Sequence, residues 1–443
     1  MIYLLAIIVA LGVLVFVHEL GHFLAAKLFG VRVERFSIGF PPRLFGVQIG
    51  ETDYCISAIP LGGYVKMSGM IDESLDTSSA DREPEPHEFM AKPTYQKVII
   101  ITAGVIMNFL LAVGILGGML WLQGEPVDPT TTIGYVGKGG LADSIGLRPN
   151  DQILAINGEP VDNWQDVSQG FIKHLGTKTD FQIRRGPDEV NITLDWDHLR
   201  MNDLGRLQIR PLLPARVGDL SPNFPAIKSG LQTGDQIIAI GDSLIASWSD
   251  MTRIISASAD TPLRFSVLRE QDTLAFDITP KAVSFEDENG EPVTVGRIGI
   301  TYYQEYRELA FLPAIGKGLE RAVMLGQLNI RGFSRILSGK ESAQESLAGP
   351  IAIAEAAGDI AQQDLGRYIE FIALLSIVLA IINILPIPAL DGGHLAIILI
   401  EGLMRRPLSV KTKLIVQQIG MVLLLMLMVF VFYNDIMRKI AAP

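Results

Sequence analysis

His18, Glu19 and His22 are the residues best suited to chemistry, because Val17-His18-Glu19-Leu20-Gly21-His22 is an HExxH motif set in an apolar run. On a helix, residues four apart share a face, so both imidazoles can reach one metal ion. Glu19 lies about a hundred degrees round the helix, close enough to take a proton from a water held at that metal. A pattern with two free positions also arises by chance, and on an exposed helix it reads equally well as a solvated polar face. Here the surroundings change the reading. Ionisable side chains at membrane depth cost about 2.5–3.5 kcal/mol each. Three polar groups among Leu, Ile, Val, Phe and Ala therefore demand a compensating partner, and a metal supplies one.

Two histidines do not complete a catalytic zinc site, which has three protein ligands and an open position. A second polar interruption occurs far along the chain, at Asn383-Ile384-Leu385-Pro386-Ile387-Pro388-Ala389-Leu390-Asp391-Gly392-Gly393-His394. Irregular backbone at membrane depth is tolerated where it is buried in protein or lines a wet cavity. Asp391 is the carboxylate presented there, and the Gly pair after it lets another helix come close. His394 is a competing ligand; its plainer reading is a histidine near the membrane surface bonded to backbone. Asn383, an amide in an apolar run, either bonds substrate backbone or joins helices.

The elements that must hold these residues follow from hydropathy. Apolar runs approach spanning length at Met1–Ala26, Val98–Leu122, Tyr368–Leu385 and Met421–Phe432 with a flank from Leu414. The first has no Lys or Arg before it and continues past 15 apolar residues, which argues for a retained span over a cleaved signal peptide. Of 443 residues 49% are apolar and 19% charged, which fits a membrane protein with a large soluble part. The net charge of −11 argues against a nucleic-acid partner. Cys55 is the single cysteine, so no internal disulfide can form.

Basic residues set the orientation. Lys27, Arg32, Arg35, Arg43, Lys66, Arg82, Lys92 and Lys97 follow the first span, and Arg405, Arg406, Lys411 and Lys413 precede the last. The second span instead exits into Gly124-Glu125-Pro126-Val127-Asp128. Both basic loops are expected in the cytoplasm, with the active site near that side and the middle of the chain outside. Arg438 and Lys439 count mildly against this.

That middle carries a repeat. Ala142, Gly146-Leu147 and Asp151-Gln152-Ile153-Leu154-Ala155-Ile156 recur 84 residues on as Ala226, Gly230-Leu231 and Asp235-Gln236-Ile237-Ile238-Ala239-Ile240. The pattern Gly-Leu-x-x-Gly-Asp-x-Ile resembles bacterial PDZ domains, with Asn150 replacing a glycine in the first copy. Two such domains are implied, at 130–214 and 215–301. They either bind an extended peptide at a sheet edge or act as a size filter, and the sequence leaves both open.

The remaining segments read as follows. Residues 31–70 alternate as strands around Gly62-Gly63, and an exposed edge there, with Tyr64 as a candidate substrate contact, could pair with an unwound substrate. Residues 71–96 form a cytoplasmic loop whose acidic, Pro-containing part reads as mobile. Residues 302–367 form amphipathic linker helices on the outer membrane face or packed under the PDZ domains. The spans themselves are placed at 1–30, 97–123, 368–404 and 412–434. The fold class is thus a polytopic α-helical membrane protein of four transmembrane helices and a membrane-associated β-loop, with two inserted α+β PDZ domains.

Taken together, the HExxH span, the Asn383–His394 motif, the interposed repeats and Ser346-Leu347-Ala348-Gly349-Pro350-Ile351 resemble the site-2 protease family of intramembrane zinc metalloproteases over nearly the whole chain. One departure is Val105 after Gly104, where the family usually has Pro. The resemblance implies Zn2+ bound by His18, His22 and Asp391, Glu19 as general base, and Asn383 holding substrate near the metal. It also implies a bacterial inner membrane location. Its substrates would be transmembrane proteins, such as a trimmed anti-sigma factor with its N-terminus inside, and leftover signal peptides. Two other classes fit less well. A membrane-anchored PDZ scaffold without protease activity would not need Glu19, and a proton or metal transporter lacks matching halves with broken helices.

Overall fold

The computed structural model describes residues 2–70, 84–174, 177–195, 208–286 and 292–441. It divides into a unit of residues 1–123 with 309–442 and a unit of residues 124–308.

In the first unit the longer helices are α1 (Ile2–Leu28), α2 (Thr94–Gln123), α3 (Phe311–Leu337), α4 (Pro350–Gln363), α5 (Leu365–Ile384), α6 (Asp391–Met404) and α7 (Val410–Ala441). Four of these, α1, α2, α5 and most of α7, are long and apolar enough to cross a membrane. α2 packs against α1, α3 and α5. It is one unbroken helix through Gly104-Val105, as expected of a sequence with no Pro there.

α3 carries Lys317, Glu320, Arg321, Arg331 and Arg335 and is not among the candidate spans. Its small face of Ala314, Gly318 and Ala322 is buried, and it lies against α2. The small residues let α3 approach α2 closely, Gly318 against Gly117.

The third apolar run is divided. Pro386 and Pro388 cannot continue α5, so the chain turns through residues 385–390 and restarts as α6 at Asp391. A Cβ on Gly392 would come within 2.1 Å of the Leu385 carbonyl oxygen, and one on Gly393 within 2.4 Å of that of Ile387. The Gly pair is therefore what allows the turn to fold back over the start of α6.

Between α1 and α2 lie β1 (Val33–Ile49) and β2 (Thr52–Met67). Both strands bend back, so two strands give four segments in the order 63–67, 33–40, 52–59 and 43–49, the two outer pairs antiparallel and the central pair, 33–40 with 52–59, parallel. The segment 43–49 escapes the sequence reading because Pro41-Pro42 breaks the alternation. It forms one edge and exposes Leu44, Phe45, Val47 and Ile49. The other edge, 63–67, lies beside α1.

The mobile loop read at 71–92 is only partly accessible to description: residues 71–83 lie outside the described residues. Its later part is packed. The Phe89 N–H donates to the Ser68 carbonyl at 2.8 Å, the Arg32 N–H to that of His87 at 2.9 Å, and Phe89 is buried.

In the second unit, each element from strand Ile133–Val136 to strand Asp188–Leu194 recurs 84 residues later, up to Asp272–Ile278. Both copies have a four-stranded sheet of the same order: 159–160, 152–156, 179–185, 188–194 in the first and 243–244, 236–240, 263–269, 272–278 in the second. Each buries an Asp–Arg pair at 2.7 Å, Asp151 with Arg185 and Asp235 with Arg269. The guanidinium also donates to the carbonyl of Gly146 or Gly230, where the preceding short helix ends. In the second copy the fourth strand is followed by an antiparallel pair, Lys281–Glu286 with Pro292–Arg297; the corresponding residues 196–207 of the first lie outside the described residues.

Candidate metal centre and active site

Two separate chain segments converge on α1. His18 and His22, one helical turn apart, turn their rings to the same side, with Nε2 atoms 3.2 Å apart. Asp391, first residue of α6, brings its Oδ2 to 3.1 Å from His18 Nε2 and 3.4 Å from His22 Nε2. All three side chains are largely buried. Among the described residues, these three form the cluster able to hold a metal.

The fit to zinc can be judged from the ligand atoms. Bonds of about 2.0–2.1 Å at tetrahedral angles require ligand atoms roughly 3.3–3.4 Å apart, and the observed separations run from 3.1 to 3.4 Å. The chemistry agrees. His22 Nδ1 lies 2.8 Å from the Ile100 carbonyl and must donate to it, which leaves a lone pair on Nε2. Asp391 Oδ2 is buried without a hydrogen-bond partner. A lone pair and an unpaired carboxylate oxygen facing one point need a cation between them.

Glu19 projects from the same helix toward the 63–67 edge of the β-loop. A Cβ on Gly63 would come within 3.1 Å of Glu19 Cγ and 2.7 Å of Val15 Cγ1. Asn383, near the end of α5, has its amide nitrogen 3.3 Å from His18 Nε2. Tyr64 lies on the edge segment, and its phenol oxygen accepts from Arg35 Nη1 at 3.1 Å. Arg35 and Arg43 both hold Asp53, so the phenol belongs to a network bracing the sheet. His394 lies elsewhere, lining a cavity of about 40 Å³ with Lys97, Glu401 and Gln417.

Sequence reasoning overlooks one polar residue, Asn108 on α2. It is fully buried, and its amide nitrogen is 3.2 Å from His18 Nδ1. The signal was available: an amide in the apolar run Val98–Leu122 invites the same question as Asn383 in the third run.

With that site described, its relatives are informative. The description of peptidase family M50 matches residues 6–427. Among curated proteins, the chain is similar to a regulator of sigma E protease of Haemophilus influenzae, 33% identical over 97% of this chain and 98% of that protein. It is similar to the protease RseP of Yersinia pestis, 31% identical over 98% of each chain. A Neisseria meningitidis protein named as a zinc metalloprotease is 31% identical over 98% of this chain and 99% of that one. A solved PDZ domain of an SdrC-like protein from Listeria monocytogenes is 23% identical over 19% of this chain and 83% of that one. Its TM-score of 0.16 is too low to assign a fold. A family match spanning nearly the whole sequence, borne by relatives of the same length, leaves one conclusion: the chain belongs to peptidase family M50 and is a metalloprotease of the site-2 type.

Proposed function

We propose that the chain is an intramembrane zinc endopeptidase that cuts transmembrane segments of single-span proteins. The observation that carries this reading is the meeting of His18 Nε2, His22 Nε2 and Asp391 Oδ2 within 3.4 Å of one another. Two of these ligands belong to a helix long and apolar enough to cross a membrane.

In this reading His18, His22 and Asp391 bind Zn2+. The ion, when bound, acidifies its water and polarises a carbonyl oxygen. Glu19 takes the proton released from the attacking water and passes it to the leaving amine. The Asn383 amide, next to the ligands, donates a hydrogen bond to substrate backbone. A transmembrane substrate is helical, so its scissile stretch must first be unwound. The 63–67 edge can pair with an extended strand, with Tyr64 beside it, and Gly63 brings that edge up to Glu19.

Substrates of the trimmed anti-sigma type and leftover signal peptides suit the similarity to regulator of sigma E proteases. The basic loops at 27–97 and 405–413 support an inner-membrane protein with residues 124–308 in the periplasm and the site near the cytoplasmic face. The repeated topology of those residues supports reading them as two PDZ domains.

The test is direct. The chain, purified in detergent, should cleave a model transmembrane peptide, lose that activity to a chelator, and regain it with added zinc. Activity indifferent to the chelator would sink the zinc reading, and zinc binding without cleavage would favour a membrane-anchored scaffold.

A further inference from the structure

One face of α2 repeats the spacing of the histidine pair. Ile100, Gly104 and Asn108 are four residues apart, as His18 and His22 are on α1, so the two faces run alongside each other. The Ile100 carbonyl accepts from His22 Nδ1. Gly104 leaves the space for both rings: a Cβ there would lie 2.4 Å from His22 Nε2 and 2.8 Å from His18 Cε1. Asn108 reaches His18 Nδ1. Its own carbonyl accepts from Ser376 Oγ of α5 at 2.8 Å, on the side of α2 away from the ring nitrogen.

The Asn108 amide is drawn with Nδ2 toward His18 Nδ1, while its Oδ1 is buried and has no partner. That orientation needs a lone pair on Nδ1 and therefore a proton on Nε2. Such a proton would point among His22 Nε2, Asp391 Oδ2 and the Asn383 amide, where a metal ligand must offer a lone pair instead. Exchanging Oδ1 and Nδ2 leaves the shape of the side chain unchanged. The acceptor then faces an Nδ1–H, and His18 Nε2 is free to ligate.

We propose that Asn108 is a positioning residue that holds His18 as its Nδ1–H tautomer and fixes the plane of the ring, as the Ile100 carbonyl does for His22. The inference rests on the zinc reading above. An acceptor on the far nitrogen of a ligating histidine is worth 10–100-fold in metal affinity in zinc sites.

The test measures zinc affinity of the full chain in detergent by competition with a chelator. Asn108→Leu keeps the size of the side chain, suits a buried apolar helix and removes the acceptor; it should weaken zinc binding by about 10–100-fold. Asn108→Asp, which restores an acceptor, should recover affinity to within a few-fold of the original protein. Ser376→Ala, which removes the α2–α5 hydrogen bond without touching the ring, should leave affinity unchanged. With cobalt in place of zinc, the visible absorption of Asn108→Leu should shift while that of Ser376→Ala does not. Undiminished zinc affinity in Asn108→Leu, no rescue by Asp, or an equal loss in Ser376→Ala would overturn the proposal. Absence of zinc binding by the unaltered chain would instead overturn the reading on which it rests.

Discussion

Gly63 stands against Glu19: a single added carbon on the glycine would lie 3.1 Å from the Glu19 Cγ. The same carbon would meet Val15 Cγ1 at 2.7 Å and the Ser37 carbonyl oxygen at 2.8 Å. The edge of the β-loop and the carboxylate are thus seated together, with no room for a side chain. Gly63→Leu should push the edge off α1 or turn Glu19 aside. Displacements of this size cost on the order of 10²-fold in rate. Cleavage of a model transmembrane peptide should fall accordingly, while zinc content stays stoichiometric because none of the three ligands is touched. Unchanged turnover in this variant would separate the β-loop from the chemistry.

Glu19 itself should be dispensable for the metal and indispensable for the reaction. Glu19→Gln keeps the size of the side chain but cannot accept a proton, so turnover should drop by about 10²–10⁴-fold. Elemental analysis should still find one zinc per chain. Normal turnover would end the general-base assignment.

The ligands should behave in the opposite way. His22→Ala and Asp391→Ala each remove one of three atoms that now lie within 3.4 Å of one another, and zinc should be lost on dialysis. If Asp391→Ala retained near-stoichiometric zinc, a different third ligand would be required. His394 would then have to leave the separate cavity it lines with Lys97 and Glu401.

How legible these features are depends on the range of the interactions behind them. The histidine pair is readable because its spacing is that of a single helical turn. Asp391 is visible as a carboxylate in an interrupted apolar run, yet nothing local says that the start of α6 meets α1; that pairing is long-range packing. The turn at 385–390 is announced by Pro386 and Pro388. The four-segment sheet is not announced, because its order depends on two strands bending back on each other across Pro41-Pro42. Asn108 is missed for another reason. It sits in a helix whose other residues suit lipid or helix packing, and one amide there does not reveal which neighbour it faces. In the second unit, the 84-residue offset shows the shared topology.

Acid should test that second unit through Asp235. Burial pushes its carboxyl up, but the hydrogen bonds from the Arg269 guanidinium and the Gln232 N–H outweigh this and hold it below its ordinary value. A carboxylate with a depressed pKa lends stability above its unfolded value of about 3.9. That stability is lost as pH falls through the folded value. Asp235→Asn should therefore cost about 1–3 kcal/mol at neutral pH, and the difference from the original protein should shrink toward zero as pH drops below about 4. Thermal melts of residues 124–308 at several pH values would measure it. A difference constant with pH would mean that the ion pair is not its source.

Orientation is the last expectation open to a direct test. Cys55 is buried, so a cysteine placed on the surface can be labelled selectively. Ser243 lies in an exposed turn strand of the second repeat, and Arg406 is exposed in the basic connection between α6 and α7. With the basic loops in the cytoplasm, Ser243→Cys should react with a membrane-impermeant thiol reagent added to cells with a permeabilised outer membrane. Arg406→Cys should react only after the inner membrane is broken. The charge argument is not unanimous, since Arg438 and Lys439 stand in the last turn of α7. They are two charges against the eight that follow the first span, and Lys439 is paired with Glu355, which lessens its pull. Labelling of Arg406→Cys in intact cells, with Ser243→Cys protected, would reverse the orientation and move the metal site toward the opposite face of the membrane.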